Sequence, residues 1–154
     1  MRKVFADWLV TKAIADPNII LIVGDIGFGL FDEYRELFPD RFINIGICEQ
    51  SMISVAAGMA LEGWKPYVYT ITPFLIERPY EQIKIDIYQN NANVKLIGYA
   101  DYPKQGLTHC CHSNYLLNDV LDCWFPGSES YTKRALNMTY NNKEPAFISL
   151  RRNK

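Results

Sequence analysis

Two neighbouring side chains, Glu49 and Gln50, stand where an apolar strand gives way to a helix that is almost uncharged. The strand is predicted over residues 42–45, the chain turns at Gly46, and Gly63 is a suitable stop for the helix. A helix that is apolar on most of its circumference is buried. Its first turn then lies at the carboxyl end of the strand, where open α/β sheets bind ligands. Glu49 is therefore a candidate ligand-binding group, although acids also favour the first turn of any helix.

Three other groups that could carry chemistry follow predicted strands. They are Asp25, the turn at residues 72–74 that contains Phe74, and His109 in a long loop at residues 100–113. Parallel strands share one carboxyl end, so these groups are expected to line one rim together with Glu49. The alternatives are a cap for Asp25, core packing for Phe74 and a structural hydrogen bond for His109.

The elements that must position these groups alternate along the chain. A continuous apolar run at residues 19–23 predicts a strand that is buried on both faces. Further strands are predicted at residues 42–45, 67–72, 94–99, 123–125 and 146–150, and helices at residues 2–15, 31–38, 47–62, 78–88, 115–120 and 129–140. Strands and helices that alternate over short connections predict an α/β fold, with a doubly wound, mostly parallel sheet and helices on both faces. Residues 1–154 are expected to form one domain.

Composition excludes several classes of protein. The 154 residues carry a net charge of −1, which does not favour nucleic acid or an anionic membrane surface as a partner. No apolar run reaches the ~18 residues of a membrane span. The four cysteines, which include the adjacent Cys110 and Cys111, form no CxxC pair. Free thiols and a cytoplasmic location are therefore expected.

Metal and nucleotide motifs are not favoured either. The run His109-Cys110-Cys111-His112 has no second, separated pair of ligands, so no metal site is predicted. The glycines at positions 24, 27 and 29 do not have the dinucleotide-binding spacing. The sequence contains neither a phosphate-binding P-loop nor a Gly-x-Ser-x-Gly elbow.

The stretch Gly46-Ile-Cys-Glu49-Gln50-Ser-Met, followed by Ala-Ala-Gly-Met-Ala-Leu-Glu-Gly, resembles the signature of the pyrimidine-binding domain of transketolase-type, thiamine-diphosphate-dependent enzymes. Three further stretches agree in the same order. They are Gly24-Asp25-Ile-Gly-Phe-Gly, Phe74-Leu-Ile-Glu-Arg78-Pro-Tyr-Glu-Gln-Ile and Gly106-Leu-Thr-His109. The resemblance covers essentially the whole chain.

This resemblance implies a role for each matching residue. Glu49 would hydrogen-bond the N1′ nitrogen of the cofactor's aminopyrimidine and so favour the imino tautomer that takes a proton from the thiazolium ring. The cofactor-binding set would be Asp25, Ile26, Glu49, Phe74 and Arg78, with Phe74 stacked on the pyrimidine. Glu49 and His109 would be the catalytic residues.

Substrate contacts are implied for three residues, His109, Arg2 and Arg152. His109 would face the substrate and could bind a donor hydroxyl or share in proton transfer. Arg2 and Arg152 fall near positions that bind a sugar phosphate, and arginine donates bidentately to phosphate. The alternative for both arginines is a solvated position near a chain terminus.

The diphosphate- and magnesium-binding motif of the family, Gly-Asp-Gly with a downstream Asn, does not occur in this sequence. A bound diphosphate needs a divalent ion with oxygen ligands. The resemblance therefore implies a split enzyme, in which a partner subunit supplies the diphosphate domain and holds most of the Mg²⁺ contacts. A heterotetramer with two copies of each chain is the expected assembly.

Three functions remain open on this basis. The first is a subunit of a split transketolase, which transfers a two-carbon ketol unit between sugar or sugar phosphate substrates. The second is decarboxylation of a 2-oxo acid, because the motifs are also similar to those of 1-deoxyxylulose-5-phosphate synthase and of 2-oxoacid dehydrogenase β subunits. The third is a non-catalytic pairing subunit. Gln105, where transketolases carry an acidic residue, and a short 100–113 loop leave the sugar open.

Overall fold

The computed structural model describes residues 1–111 and 115–150. The strands are Ile19–Val23 (β1), Phe42–Asn44 (β2), Lys65–Ile71 (β3), Lys95–Tyr99 (β4), Asp122–Trp124 (β5) and Ala146–Leu150 (β6). The α-helices are Arg2–Ala15 (α1), Asp32–Leu37 (α2), Glu49–Leu61 (α3), Thr72–Ile76 (α4), Tyr80–Gln82 (α5) and Glu129–Asn141 (α6). A π-helix, Ile83–Tyr88, continues α5, and single 3₁₀ turns lie at Pro39–Arg41, Pro103–Gln105 and Leu107–His109.

The strands form one sheet in the order β2-β1-β3-β4-β6-β5, and every neighbouring pair is parallel. All five residues of β1, of β4 and of β6 are buried. Continuous apolar runs such as Ile19–Val23 satisfy this environment because helices cover both faces of a parallel sheet. The predicted doubly wound α/β fold is confirmed.

Each face of the sheet has its own apolar core. On one face α1, α2 and α6 pack against alternate strand residues, with Phe5, Leu9 and Leu136 fully buried. On the other face α3, α4 and the π-helix pack against the intervening strand residues, with Met52, Ile53 and Ile87 fully buried. The period of two along each strand sends successive side chains into opposite cores.

Local structure differs from the sequence prediction in three places. The predicted turn at residues 72–74 is the helix α4, which Pro73 can begin because the first turn of a helix needs no donor there. The predicted helix at residues 78–88 is α5 followed by a π-helix. Residues 115–120 form consecutive turns instead of a helix, and Leu117 and Leu121 anchor this segment in the second core.

The helices are short throughout the described residues. The longest, α1, has 14 residues, whereas a membrane span needs about 20. None of the described helices is long and apolar enough to cross a membrane.

Candidate active site

The sheet has a topological switch point at β1, because β2 lies on one side of it and β3 on the other. Connections that diverge in this way leave a crevice outside the carboxyl ends of the strands, where ligands bind in open α/β sheets. A cavity of about 260 Å³ lies at this position. Its lining includes all six residues that the sequence assigned to cofactor binding or catalysis: Asp25, Ile26, Glu49, Phe74, Arg78 and His109.

Glu49 is the first residue of α3, and its side chain is only 6% exposed. The chain reaches this position through Gly46, whose φ of +77° is a left-handed conformation that glycine adopts without strain. An ionised carboxylate buried to this extent needs a partner. Arg78 provides it, because its Nη1 atom donates to Glu49 Oε1 at 2.7 Å.

Two aromatic rings in an edge-to-face arrangement lie beside this ion pair. The guanidinium carbon of Arg78 lies 3.8 Å from the centre of the Phe74 ring. The ring centres of Phe74 and His109 are 4.8 Å apart, with an angle of 69° between the planes. Phe74 follows the carboxyl end of β3, while His109 comes from the loop after β4. The long loop therefore returns its histidine to the switch point, as the sequence predicted for residues that follow parallel strands.

His109 is held by the backbone of its own loop. Its carbonyl accepts from the Tyr102 amide at 2.8 Å, and its amide donates to the Gly106 carbonyl at 3.1 Å. The hydroxyl of Thr108 hydrogen-bonds the ring atom Nδ1 at 3.0 Å. These contacts fix the imidazole against Phe74 and leave its position set by the loop rather than by the sheet.

Two residues of the site were not predicted from the sequence, and the first is Asn44. Its amide oxygen accepts from the backbone amides of Asp25 and Gly46, at 3.0 and 3.1 Å, and its amide nitrogen donates to Asp25 Oδ1 at 3.2 Å. Asn44 thus joins the end of β2 to the loop after β1, where Asp25 has a φ of +52°. A polar residue at the carboxyl end of an apolar strand could have revealed it.

Thr70 is the second unpredicted residue. It lines the cavity, is 1% exposed, and its hydroxyl has no hydrogen-bond partner among residues 1–111 and 115–150. Most buried hydroxyl groups are hydrogen-bonded. An unsatisfied hydroxyl at the wall of a cavity is therefore available to a ligand.

Of the two predicted phosphate-binding arginines, the structure describes Arg2, which does not line this cavity. The guanidinium of Arg2 lies over the Tyr99 ring, 4.3 Å from its centre, at the carboxyl end of β4. Arg2 is half-buried rather than solvated. Arg152 lies outside the described residues, as does His112 of the His-Cys-Cys-His run. In residues 1–111 and 115–150, no three His, Cys, Asp or Glu side chains gather as metal ligands would.

Comparisons with known proteins agree on one family. The family described as "Transketolase, pyrimidine binding domain" matches residues 1–154. A subunit of the apulose-4-phosphate transketolase of Actinobacillus succinogenes is 36% identical over 124 residues, covering 73% of this chain and 38% of that protein. The 1-deoxy-D-xylulose-5-phosphate synthase of Neisseria meningitidis is 40% identical over 156 residues, covering 95% of this chain and 24% of that protein.

A solved structure described as a split gene transketolase, inactive beta4 tetramer, superposes with a TM-score of 0.87 at 25% identity. The match covers 98% of this chain and 50% of that chain. The present chain therefore spans half or less of the length of each of these three proteins.

Proposed function

This chain belongs to the family of transketolase pyrimidine-binding domains, and we propose that it is the pyrimidine-binding subunit of a split, thiamine-diphosphate-dependent transketolase. The observation that carries the proposal is the buried carboxylate of Glu49 beside the ring of Phe74, in a cavity at the switch point of the sheet. The reaction would transfer a two-carbon ketol unit between sugar or sugar phosphate substrates.

The cavity suits the aminopyrimidine of this cofactor. It offers an aromatic face at Phe74, a buried carboxyl group at Glu49 and a hydroxyl without a partner at Thr70. A small planar heterocycle with nitrogen donors and acceptors could stack on the aromatic face and hydrogen-bond the carboxyl group and the hydroxyl. Asp25, Ile26 and Arg78 complete the set that would hold it.

When bound, thiamine diphosphate supplies the carbanion chemistry. Glu49 would hold a proton at its carboxyl group against a ring nitrogen of the pyrimidine, and the enclosed site would keep water from that proton. Phe74 would fix the plane of the ring. His109, which the loop presses against Phe74, would orient a substrate hydroxyl or exchange a proton with it.

A partner subunit is part of this proposal. The sequence contains no Gly-Asp-Gly motif with a downstream Asn, so another chain would hold the diphosphate and most of the Mg²⁺ contacts. The relative from Actinobacillus succinogenes is itself named as one subunit of a transketolase. We expect two copies of each chain in the active assembly, in the cytoplasm. Arg2 and Arg152 remain the candidate phosphate-binding residues.

A second candidate function is decarboxylation of a 2-oxo acid by the same cofactor. It is favoured by the 40% identity with a 1-deoxy-D-xylulose-5-phosphate synthase over nearly the whole chain. The third candidate is a non-catalytic subunit that only associates with a partner chain. The buried carboxylate of Glu49 argues against it, because association with a partner alone requires no carboxylate in this cavity.

Calorimetry with thiamine diphosphate and Mg²⁺ tests the proposal. The chain is titrated alone and then with a candidate partner that carries Gly-Asp-Gly and the downstream Asn. Binding only in the mixture would support a split site, whereas tight binding to this chain alone would contradict it. No binding in either case would favour the pairing subunit. Profiling of ketose donors against 2-oxo acids then separates the first function from the second.

A further inference from the structure

The side chain of Asn44 joins the two loops that carry the acids of the candidate site. The parallel pairing of β1 with β2 runs to Val23 and Asn44. The chain then leads from β1 to Asp25 and from β2 through Gly46 to Glu49. Asn44 Oδ1 accepts from the backbone amides of Asp25 and Gly46, at 3.0 and 3.1 Å, and Nδ2 donates to Asp25 Oδ1 at 3.2 Å. One amide group therefore connects both loops at the edge of the cavity.

We propose that Asn44 is a positioning residue for the bound cofactor: it holds Asp25 and the turn that leads to Glu49 in place, and the affinity for the cofactor depends on this hold. The inference rests on the proposed function, which gives both acids their roles toward thiamine diphosphate. Asn44 does not line the cavity in the part of the chain that the structure describes, so it acts through these two residues rather than by touching the ligand.

The backbone on either side of the amide leaves the direction of its strand. Asp25 has a φ of +52°, a left-handed conformation that is unfavourable for a residue with a side chain and persists only where the surroundings support it. Gly46 has a φ of +77°. The amides of both residues donate to the same oxygen atom of Asn44. These contacts support the conformation from which Asp25 reaches the wall of the cavity.

A purely local role would explain only one of the three hydrogen bonds. Asparagine often accepts from the backbone amide two residues on, in an Asx turn, and the contact with Gly46 is of this kind. The two contacts with Asp25 join residues that are 19 positions apart. Asn44 is exposed, so water competes for these bonds, and its replacement should leave the chain folded while it frees the loops.

The amide group of Asn44 matches the groups that Asp25 presents to it. A side-chain amide accepts and donates at the same time, and Asp25 offers a backbone donor and a carboxyl acceptor. A carboxylate at position 44 would still accept from both backbone amides but could not donate to Asp25 Oδ1. Two carboxylates in contact also repel each other unless they share a proton.

The test is calorimetry with thiamine diphosphate and Mg²⁺ on this chain mixed with a candidate partner that carries Gly-Asp-Gly and the downstream Asn. Asn44→Ala should bind the cofactor roughly tenfold more weakly than the unaltered chain, because its site is no longer preorganised. Asn90→Ala is the matched control. Asn90 is exposed and donates to the carbonyls of Ile85 and Asp86, at 3.0 and 3.2 Å, in the segment before β4. We expect unchanged binding for Asn90→Ala.

Asn44→Asp gives a readout that a merely structural residue would not give. At about pH 7.5 its affinity should fall at least as far as that of Asn44→Ala, because the new carboxylate faces Asp25. At about pH 5 a shared proton lets the pair donate as the amide did, so the affinity relative to the unaltered chain should recover. Glu49, Arg78 and His109 line the same cavity, and their titration is common to both chains and cancels in this ratio.

A second measurement needs neither ligand nor partner. Hydrogen exchange of the backbone amides of Asp25 and Gly46 is followed by NMR on the chain alone. Exchange at both amides should be faster in Asn44→Ala than in the unaltered chain, and slow again in Asn44→Asp, which keeps both acceptor contacts. Circular dichroism establishes that each variant is folded, and Asn44→Asp decides the question if Asn44→Ala is not.

The outcomes separate this proposal from the proposed function. Weaker binding by Asn44→Ala beside an unchanged Asn90→Ala, or recovery of Asn44→Asp at the lower pH, would support the positioning role. Unchanged affinity in a folded Asn44→Ala, an equal loss in Asn90→Ala, or a deficit of Asn44→Asp that persists at the lower pH would overturn it and leave the cofactor site in place. No binding by the unaltered chain, even with the partner present, would overturn both.

Discussion

A lysine buried at the far end of the sheet from the active site should make the stability of this chain depend on pH. Lys95 begins β4, is 3% exposed, and donates from Nζ to the Glu144 carbonyl, with Asn142 Oδ1 at 3.4 Å. Burial lowers the pKa of Lys95 from its ordinary value of 10.5 to about 8. At neutral pH the folded chain therefore contains an ammonium group that would be better solvated in the unfolded chain.

The size of the effect follows from proton linkage. Between the two pKa values the unfolded chain still holds a proton that the folded chain has lost, so the free energy of unfolding rises with pH. With values of 10.5 and about 8 for the pKa of Lys95, the burial of Lys95 costs about 3 kcal/mol near pH 7 and about 1 kcal/mol near pH 9.5, where the folded chain has lost the proton. The unaltered chain should thus gain about 2 kcal/mol over this interval from Lys95 alone.

Urea unfolding of the unaltered chain and of Lys95→Met at both pH values isolates this contribution, because the other titrating groups cancel in the difference. Methionine fills a similar volume without a charge but leaves the Glu144 carbonyl without its donor, which costs about 1–3 kcal/mol. The two chains should therefore be of similar stability near pH 7, and the unaltered chain should be ahead by about 2 kcal/mol near pH 9.5.

Lys133→Met is the control for Lys95→Met, since Lys133 lies exposed on α6 and meets water in both the folded and unfolded states. Its difference from the unaltered chain should not change with pH. A difference for Lys95→Met that stays constant, or that falls as the pH rises, would refute the reasoning and would show that the ammonium of Lys95 is well solvated or fully compensated in the folded chain.

Three further substitutions test the candidate site. Glu49→Ala should leave assembly with a partner intact and lower ketol transfer by orders of magnitude, and a normal turnover rate would remove Glu49 from the mechanism. Asn44→Ala removes two hydrogen bonds to Asp25 and one to Gly46 and should lower the free energy of unfolding by about 1–2 kcal/mol in urea titrations; an unchanged value would mean that water replaces them. Thr70→Val removes a buried hydroxyl that has no partner among the described residues and should stabilise the chain by about 1 kcal/mol. Destabilisation by Thr70→Val would show that the hydroxyl is hydrogen-bonded in solution.

Much of the fold could be predicted because the signals are local. The apolar run at residues 19–23 predicted a strand buried on both faces, and all five residues are buried. The period of three to four in residues 2–15 predicted α1 with its observed limits. Alternation of such segments then restricts the topology, because crossover connections between parallel strands are short and right-handed.

Short segments between these elements could not be predicted with the same accuracy. The buried Ile83 and Ile87 are four residues apart, a spacing that fits a helix but does not distinguish an α-helix from the observed π-helix. Residues 115–120 carry apolar residues at helical spacing, yet the tertiary contacts of Leu117 hold them as turns. Packing against the second core decides their conformation, and the sequence of the segment alone does not contain that information.

The candidate site also has features that could be predicted from the sequence and features that could not. Four of the lining residues follow different strands and could be expected to meet, because parallel strands share one carboxyl end, whereas the other two were implied only by the family resemblance. The contacts between pairs of these residues could not be predicted, because no sequence rule places the Arg78 guanidinium against both Glu49 and Phe74. Asn44 and Thr70 contribute one side-chain amide and one hydroxyl to the site. No sequence pattern distinguishes these two residues from other polar residues in strands.

The polar groups at the amino ends of the strands contribute to stability, whereas those at the carboxyl ends are suited to binding. At the amino ends of the strands, Asp16, which caps the end of α1, accepts from Lys65 at 2.5 Å and from the Tyr140 hydroxyl at 2.9 Å, so this partly buried network connects α1, β3 and α6. At the carboxyl ends of the strands, the part of the chain that the structure describes offers the buried Glu49 carboxylate only the partly exposed Arg78 as a partner, and it offers the hydroxyl of Thr70 none. A buried carboxylate at the wall of a cavity, paired with a partly exposed arginine, is a suitable binding group, and the proposed chemistry would therefore lie at the carboxyl ends of the strands.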